Sequence, residues 1–241
     1  MPTILFGNEK IPYELCWSSK RKTLGISVRS DKVSVTAPEG TTEEKINQLL
    51  MKKAPWIRKQ LQEYQEINPF MQERNFFSGE KLPYLGRLYR LKVIKEANLQ
   101  TSHFRFEQGK FIATVPDSLK ETEYRQVIYP LYKAWVIAKA TTFTQKRLNR
   151  FTVKLREKPT HIHIKEQKQR WGSCTPDGKI LLNWRIFLAP TSVVDYILVH
   201  ELAHLKNMDH STEFWNTIKM ILPNYEDKKE WLRINGRKLY I

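Results

Sequence analysis

The sequence predicts an α+β fold. Apolar and polar residues alternate with the period of a strand in several stretches before Pro116, and apolar residues recur at helical spacing in most of the chain after it. With 41% hydrophobic residues among 241, the chain can build a substantial core. We therefore expect a mixed strand and helix part over residues 1–117, followed by a second part over residues 118–241.

Strand patterns in the N-terminal part occupy residues 11–40, 81–96 and 103–115. The first of these stretches contains a predicted turn near Ser30 and Asp31. A basic cluster at residues 20–22 is typical of an exposed hairpin end. These patterns indicate basic hairpins that pack one face on a core.

Two stretches have helical signals. Residues 41–44 form a capping box that predicts a helix start, and Pro55 predicts a break, after which Trp56 faces the core. Beyond Pro116 a long helical region extends to about residue 152, in which Pro130 predicts a kink or a split.

His161 and His163 lie on one face of a strand predicted over residues 160–166. They could form a second metal pair, or they could be polar residues on an exposed face. The second interpretation is favoured, because no nearby carboxylate completes a cluster.

A hairpin follows, formed by Arg170, Trp171, Gly172 and Cys174 and a turn at residues 176–178. It can form the wall of a cleft, where Gly172 admits a ligand and Arg170 holds an anionic group of the substrate. In the alternative, Trp171 is a core residue and Arg170 is its solvated neighbour. Cys174 is interpreted as a buried thiol, because no base is paired with it.

The next segment, His200–His210, reads His-Glu-Leu-Ala-His-Leu-Lys-Asn-Met-Asp-His. His200 and His204 are four residues apart, so on a helix their imidazoles share a face and can bind one ion. His210 can return as a third ligand after a turn. Three protein ligands with an open fourth position are typical of a catalytic zinc site, in which Glu201 would be the general base.

The flanking residues predict a helix with defined ends. Ser192 and Asp195 match a capping box, and apolar residues follow at helical spacing. Asn207 tolerates the left-handed conformation that ends helices, which places a turn before His210. Ser211 can cap the following helix.

The net charge indicates which classes of partner the chain could bind. The chain has 41 Lys and Arg residues against 25 Asp and Glu residues, and a net charge of +16 suits either a polyanionic partner such as nucleic acid or a generally basic protein. Two cysteines without a C-x-x-C spacing fit a reducing compartment. Since neither a signal peptide nor a membrane span is evident, we expect a cytoplasmic protein without a membrane partner.

Several motifs together resemble the YgjP-like metallopeptidase-domain family, whose members are described as metal-dependent hydrolases of the zincin type. They are residues 170–174 (Arg-Trp-Gly-Ser-Cys), residues 180–183 (Ile-Leu-Leu-Asn), and the His200–His210 segment followed by Phe214 and Trp215. The N-terminal part is similar too, so the resemblance covers nearly the whole chain. The motif is more distantly similar to SprT-like and Wss1-like proteases that act on DNA-bound proteins.

The resemblance implies a zincin-like part over residues 118–241, with His200, His204 and His210 as ligands of one zinc ion and Glu201 as the catalytic acid/base. Imidazole ligands would also accept other divalent metals. The substrate stays open between a peptide and a nucleoside triphosphate, because a phosphohydrolase activity towards UTP has been attributed to the family's bacterial namesake. A third hypothesis is a basic nucleic-acid-associated protein with a structural metal site, against which Glu201 argues, since such a site needs no base.

Overall fold

A computed structural model describes residues 2–7, 9–29, 32–67, 74–167 and 170–241. The chain forms two compact units, Met1–Gln72 and Glu73–Ile241. Each unit combines sheet and helix, so the α+β class predicted from the sequence is confirmed.

The first unit consists of one sheet and one helix in its described residues. Its elements are β1 (Thr3–Phe6), β2 (Glu9–Ser18), β3 (Gly25–Arg29), β4 (Lys32–Pro38) and α1 (Glu43–Ile67). The strands are ordered β1-β2-β4-β3, and β2 runs parallel to β4 while the other pairs are antiparallel. The predicted turn at Ser30 and Asp31 lies outside the described residues.

Helix α1 continues through Pro55, contrary to the expected break. Ile46, Leu50 and Ile57 are each at most 1% exposed and form one apolar stripe that crosses the proline. Burial of this stripe offsets the cost of a proline inside a helix, which is about 3 kcal/mol. Trp56 lies outside the stripe and is 44% exposed, so its predicted core position is wrong.

The second unit contains two sheets in its described residues, ordered β5-β6-β8-β7 and β10-β11-β9. Its strands are β5 (Lys81–Tyr84), β6 (Arg87–Glu96), β7 (His103–Glu107), β8 (Lys110–Pro116), β9 (His161–Lys165), β10 (Gly172–Cys174) and β11 (Lys179–Asn183). Its helices are α2 (Tyr124–Leu155), α3 (Thr191–Ala203), α4 (Thr212–Ile221) and α5 (Tyr225–Asn235). Helix α2 is the predicted long helix and contains Pro130 without a split. Across the part of the chain that the structure describes, no helix has the length and apolarity needed to cross a membrane.

One hydrophobic core joins the strands and helices of the second unit. Phe111 of β8 packs edge-on against Tyr132 of α2, with ring centroids 5.6 Å apart. Trp184, directly after β11, packs against the same tyrosine at 6.3 Å. Because β5–β8 share this core with the helices, the expected boundary between residues 117 and 118 falls inside the second unit, which begins at residue 73.

Helix α3 carries the His-Glu motif and is packed against α2, α4, α5 and β10. A helix that is buried on most sides holds its side chains in fixed directions. It begins after Pro190 without a side-chain cap, so the predicted capping box of Ser192 and Asp195 is wrong. The carboxylate of Asp195 instead pairs with Arg147 of α2 at 2.8 Å, which fixes the first turn of α3 against its neighbour.

Candidate metal centre

Three histidines converge at the C-terminal end of α3. His200 lies in the last turn of the helix, His204 is its C-cap residue, and His210 lies in the loop before α4. One nitrogen from each ring lies within 4.8 Å of the other two, and the Nε2 atoms of His200 and His210 are 3.2 Å apart. Two nitrogens bound tetrahedrally to a zinc ion at about 2.05 Å would be about 3.3 Å apart. The donor set therefore fits a divalent metal ion.

The loop between the second and third histidines differs from the expected helix end. Asn207 is not among the described residues with positive φ, so its predicted left-handed conformation is wrong. Its carbonyl oxygen instead accepts a hydrogen bond from Nδ1 of His204 at 3.1 Å. This bond assigns the proton of His204 to Nδ1 and leaves Nε2 available as a metal donor.

Aromatic side chains of α4 hold the imidazoles. Ser211 caps this helix as predicted, since its hydroxyl accepts a hydrogen bond from the Phe214 amide at 3.5 Å. The ring centroid of Phe214 lies 4.5 Å from that of His204, and the centroid of Trp215 lies 5.8 Å from that of His210. Phe214 is fully buried, so it restricts the ring orientations from the inside of the unit.

Burial keeps two of the imidazoles neutral. Burial, followed by the charges of His204, His210 and Lys229, lowers the pKa of His200 to about 3. Burial also lowers the pKa of His204, against the opposing effect of its hydrogen bond to the Asn207 carbonyl. Neutral imidazole is the form that binds metal ions. Nδ1 of His200 is buried and has no hydrogen-bond partner in the described part of the chain, so packing rather than a hydrogen bond at Nδ1 orients this ring.

Glu201 lies beside His200 and is 4% exposed. Burial raises the pKa of its carboxyl group to about 8, and the positive charge of Arg170 opposes this effect. Gly172 of β10 lies directly against this carboxyl group. A Cβ atom at Gly172 would lie 2.6 Å from Cγ of Glu201, so the missing side chain makes room for the carboxylate.

A cavity of about 330 Å³ opens beside Glu201 and His200. Strand β10 with the residue before it and the helices α3 and α5 form its walls, through Trp171, Gly172, Tyr196, Ile197, Lys229, Leu232 and Arg233. Trp171 both borders this cavity and packs against Tyr240, with ring centroids 5.8 Å apart, so each interpretation of it holds in part. Arg170 is exposed and does not line the cavity, but its charge acts on Glu201.

The other candidate residues lie outside this cluster. His161 and His163 stack on the exposed face of β9, with ring centroids 6.1 Å apart. Among the residues that the structure describes, the three converging histidines are the group that could hold a metal ion, so the polar-face interpretation of the β9 pair is favoured. Burial and the nearby charges of Glu201 and Asp177 raise the pKa of the Cys174 thiol, which makes it a poor nucleophile.

Sequence reasoning did not place Tyr196 or Lys229 at the site. Tyr196 lies one turn before His200 on α3, and the two rings pack edge-on with centroids 6.0 Å apart. This i, i+4 spacing is a signal that the sequence offers. Lys229 reaches the site from α5 through tertiary packing, for which no local pattern gives a signal.

Three converging imidazoles, one of which shares a cleft with a buried carboxyl group, are an arrangement typical of metal-dependent hydrolases. The model of the YgjP-like metallopeptidase-domain family matches residues 22–235, and the chain belongs to this family. The family resemblance found in the sequence is thereby confirmed. Membership implies a metal-dependent peptidase that uses a divalent ion.

Two solved structures are similar to part of the chain. The metallopeptidase zymogen abylysin of Pyrococcus abyssi is 24% identical over 39% of this chain and 93% of its own, with a TM-score of 0.35. The metallopeptidase zymogen jannalysin of Methanocaldococcus jannaschii is 23% identical over 39% of this chain and 95% of its own, with a TM-score of 0.34. No curated protein matches the chain.

Proposed function

We propose that the chain is a zinc-dependent peptidase in which His200, His204 and His210 hold one zinc ion and Glu201 is the general base. The observation that carries this proposal is the convergence of three imidazole nitrogens within 4.8 Å, one of them on His200, which lines the same cavity as the buried carboxyl group of Glu201. Three imidazole nitrogen donors suit zinc better than magnesium or calcium, which prefer oxygen ligands. A zinc ion at this position would supply Lewis acidity for the attacking water and for the scissile carbonyl group.

Glu201 is positioned to transfer a proton from the attacking water to the leaving amine. Its carboxylate accepts a proton from the water that attacks the carbonyl carbon, and it delivers that proton to the leaving amine nitrogen as the carbon–nitrogen bond breaks. Burial favours the protonated form of this group, whereas the charge of Arg170 favours the ionised form that a base requires. Gly172 leaves the space in which the carboxylate turns between these two tasks.

The remaining residues of the site orient the imidazoles and exclude water. The hydrogen bond from His204 to the Asn207 carbonyl fixes the tautomer of that ring. Phe214 and Trp215 cover the imidazoles with apolar surface, which reduces access of water from that side. A peptide backbone enters from the cavity side, where His200 and Glu201 line the open space.

The experiment that tests the proposal compares wild type with Glu201→Gln. We expect wild type to cleave an unfolded protein such as reduced casein, and the variant to lose about 10²- to 10⁴-fold in kcat while it keeps about one zinc per chain. Glu213→Gln, which changes an exposed carboxyl group of α4, is the matched control and should retain full activity.

Two outcomes would overturn the proposal. Undiminished cleavage by Glu201→Gln would remove Glu201 as the base. Release of pyrophosphate from nucleoside triphosphates by wild type, without peptide cleavage and abolished in Glu201→Gln, would replace the peptidase by a nucleotide hydrolase that uses the same centre.

A further inference from the structure

We propose that the cavity beside the metal centre selects peptides that carry a carboxylate next to the cleaved bond, and that Lys229 recognises this carboxylate. The inference rests on the proposed peptidase function and names its substrate class. His200 and Glu201 form one end of the cavity, so the residue that occupies it is adjacent to the bond under attack.

The ammonium group of Lys229 is held near the centre by an aromatic contact. Its Nζ atom lies 4.5 Å from the centroid of the Trp215 ring, a cation–π distance. Trp215 in turn packs against His210 and His200, with ring centroids 5.8 Å and 5.9 Å apart. This chain of contacts holds the lysine side chain towards the imidazoles, although the residue itself is exposed.

The neighbouring cations of α5 are already engaged, whereas Lys229 is not. Lys228 pairs with Asp227 at 3.7 Å, and Arg233 pairs with Glu230 at 2.7 Å. Within the described ranges of the chain, no carboxylate lies at ion-pair distance from Lys229. An incoming anion therefore finds in Lys229 a cation that no acidic side chain competes for.

Apart from Tyr196 and from Arg233, which pairs with Glu230, the remaining side chains of the cavity wall are apolar. Trp171, Ile197 and Leu232 surround a space of about 330 Å³, which is large enough for one side chain. An occupant with an apolar stem and an anionic end fits these walls, and both a glutamate side chain and a C-terminal residue with its α-carboxylate have this form. A lysine or arginine in the same position would meet Lys229 with like charge, so the cavity selects against basic residues.

The test uses quenched fluorescent peptides that differ only in having Glu, Gln or Lys at one position beside the cleaved bond. We expect wild type to prefer Glu over Gln by about tenfold in kcat/KM, Lys229→Met to abolish the preference, and Lys229→Glu to prefer Lys. Lys219→Glu, which makes the same charge change on an exposed residue of α4 outside the cavity, should keep the wild-type preference.

A second measurement separates this inference from the peptidase proposal. Binding of dye-labelled peptides to Glu201→Gln, by fluorescence polarisation, reports recognition without turnover. Equal binding of Glu and Gln peptides, unchanged when their C-termini are amidated, together with cleavage by wild type, would overturn the carboxylate site and leave the peptidase. Lys229-dependent binding without cleavage would overturn the peptidase proposal and leave the carboxylate site.

Free and amidated C-termini identify the source of the carboxylate. Lys229 dependence that survives amidation assigns the site to an internal acidic residue, whereas dependence that amidation removes assigns it to the substrate C-terminus. Peptides that bind equally well to wild type and Lys229→Glu, whatever their charge, would overturn the inference.

Discussion

At the scale of single residues, the metal centre depends on which imidazoles converge. His204→Ala removes the ring whose tautomer the Asn207 carbonyl fixes, so we expect the variant to lose the zinc that wild type holds at about one per chain. Elemental analysis after dialysis measures the zinc content of each protein. His163→Ala, on the exposed face of β9, is the matched control and should keep its metal. A fully metallated His204→Ala, or a metal-free His163→Ala, would contradict the assignment of the ligands.

The close approach of Gly172 to the base gives a second prediction at this scale. In Gly172→Ala the new Cβ would meet the Glu201 side chain at 2.5–2.7 Å, so the carboxyl group must move. A displacement of about 1 Å in a catalytic group can cost about 10²-fold in rate. We expect kcat for peptide cleavage to fall by about that factor while zinc content stays at the wild-type level. Ser173→Ala, on the same strand, is the control, and equal rates for the two variants would contradict the steric argument.

At the scale of elements, Glu166 joins three parts of the second unit. It follows β9 and pairs with Lys133 of α2, and with Arg185, which follows β11, at 2.8 Å. Hydrogen bonds from these two cations lower the pKa of the Glu166 carboxyl group. Because the pKa is lowered on folding, the stabilisation is complete above the ordinary carboxyl pKa and is lost as pH falls through the lowered value.

Glu166→Gln should therefore destabilise the protein at pH 7 but much less in acid. We expect a loss of about 1 kcal/mol in the free energy of unfolding at pH 7, a modest value because the Glu166 side chain is 44% exposed. Urea unfolding at pH 7 and near pH 3 measures the difference. Glu107→Gln breaks a more exposed pair with Arg105 and should change stability little at either pH. A Glu166→Gln effect of the same size at both pH values would show that the charge is not its cause.

How far each element could be predicted from the sequence depends on whether its signal is local. Most strands follow from alternation, and these predictions are confirmed in position. His200 and His204 converge as their helical spacing predicts, and their role as metal ligands stays a prediction. The continuous helix through Pro55 depends on burial against a sheet. A short stretch of sequence carries no signal for such tertiary burial. The role of the Asn207 carbonyl and the approach of Lys229 likewise arise from tertiary packing.

At the scale of the whole molecule, the positive charge is concentrated in the unit that carries the metal centre. The unit Glu73–Ile241 has 30 Lys and Arg residues against 17 Asp and Glu residues, a net charge of +13. The unit Met1–Gln72 has 11 against 8, a net charge of +3. We expect a field concentrated in this way to attract polyanions to the second unit. Exposed Lys146, Arg150 and Lys154 repeat every four residues along α2 and form one basic stripe.

We expect the full chain to bind duplex DNA without sequence preference, through a surface that includes this α2 stripe. Gel retardation at 50 mM salt should detect the complex, and affinity should fall steeply towards 200 mM because binding releases counterions. Replacing the three stripe residues by Glu should lower the slope of log affinity against log salt by about one for each phosphate contact that is lost.

The control for this last prediction is a triple variant with the same charge change in the first unit. Lys45, Lys52 and Lys59 are exposed at seven-residue intervals on α1, so their replacement by Glu matches the stripe variant in net charge and in helical placement. If binding depended on net charge alone, both variants would weaken it equally. A larger loss in the α2 variant would locate the polyanion surface on the unit that contains Glu201, where a peptidase could act on proteins bound to the same polyanion. Absence of any complex at 50 mM salt would remove nucleic acid from the partners of this protein.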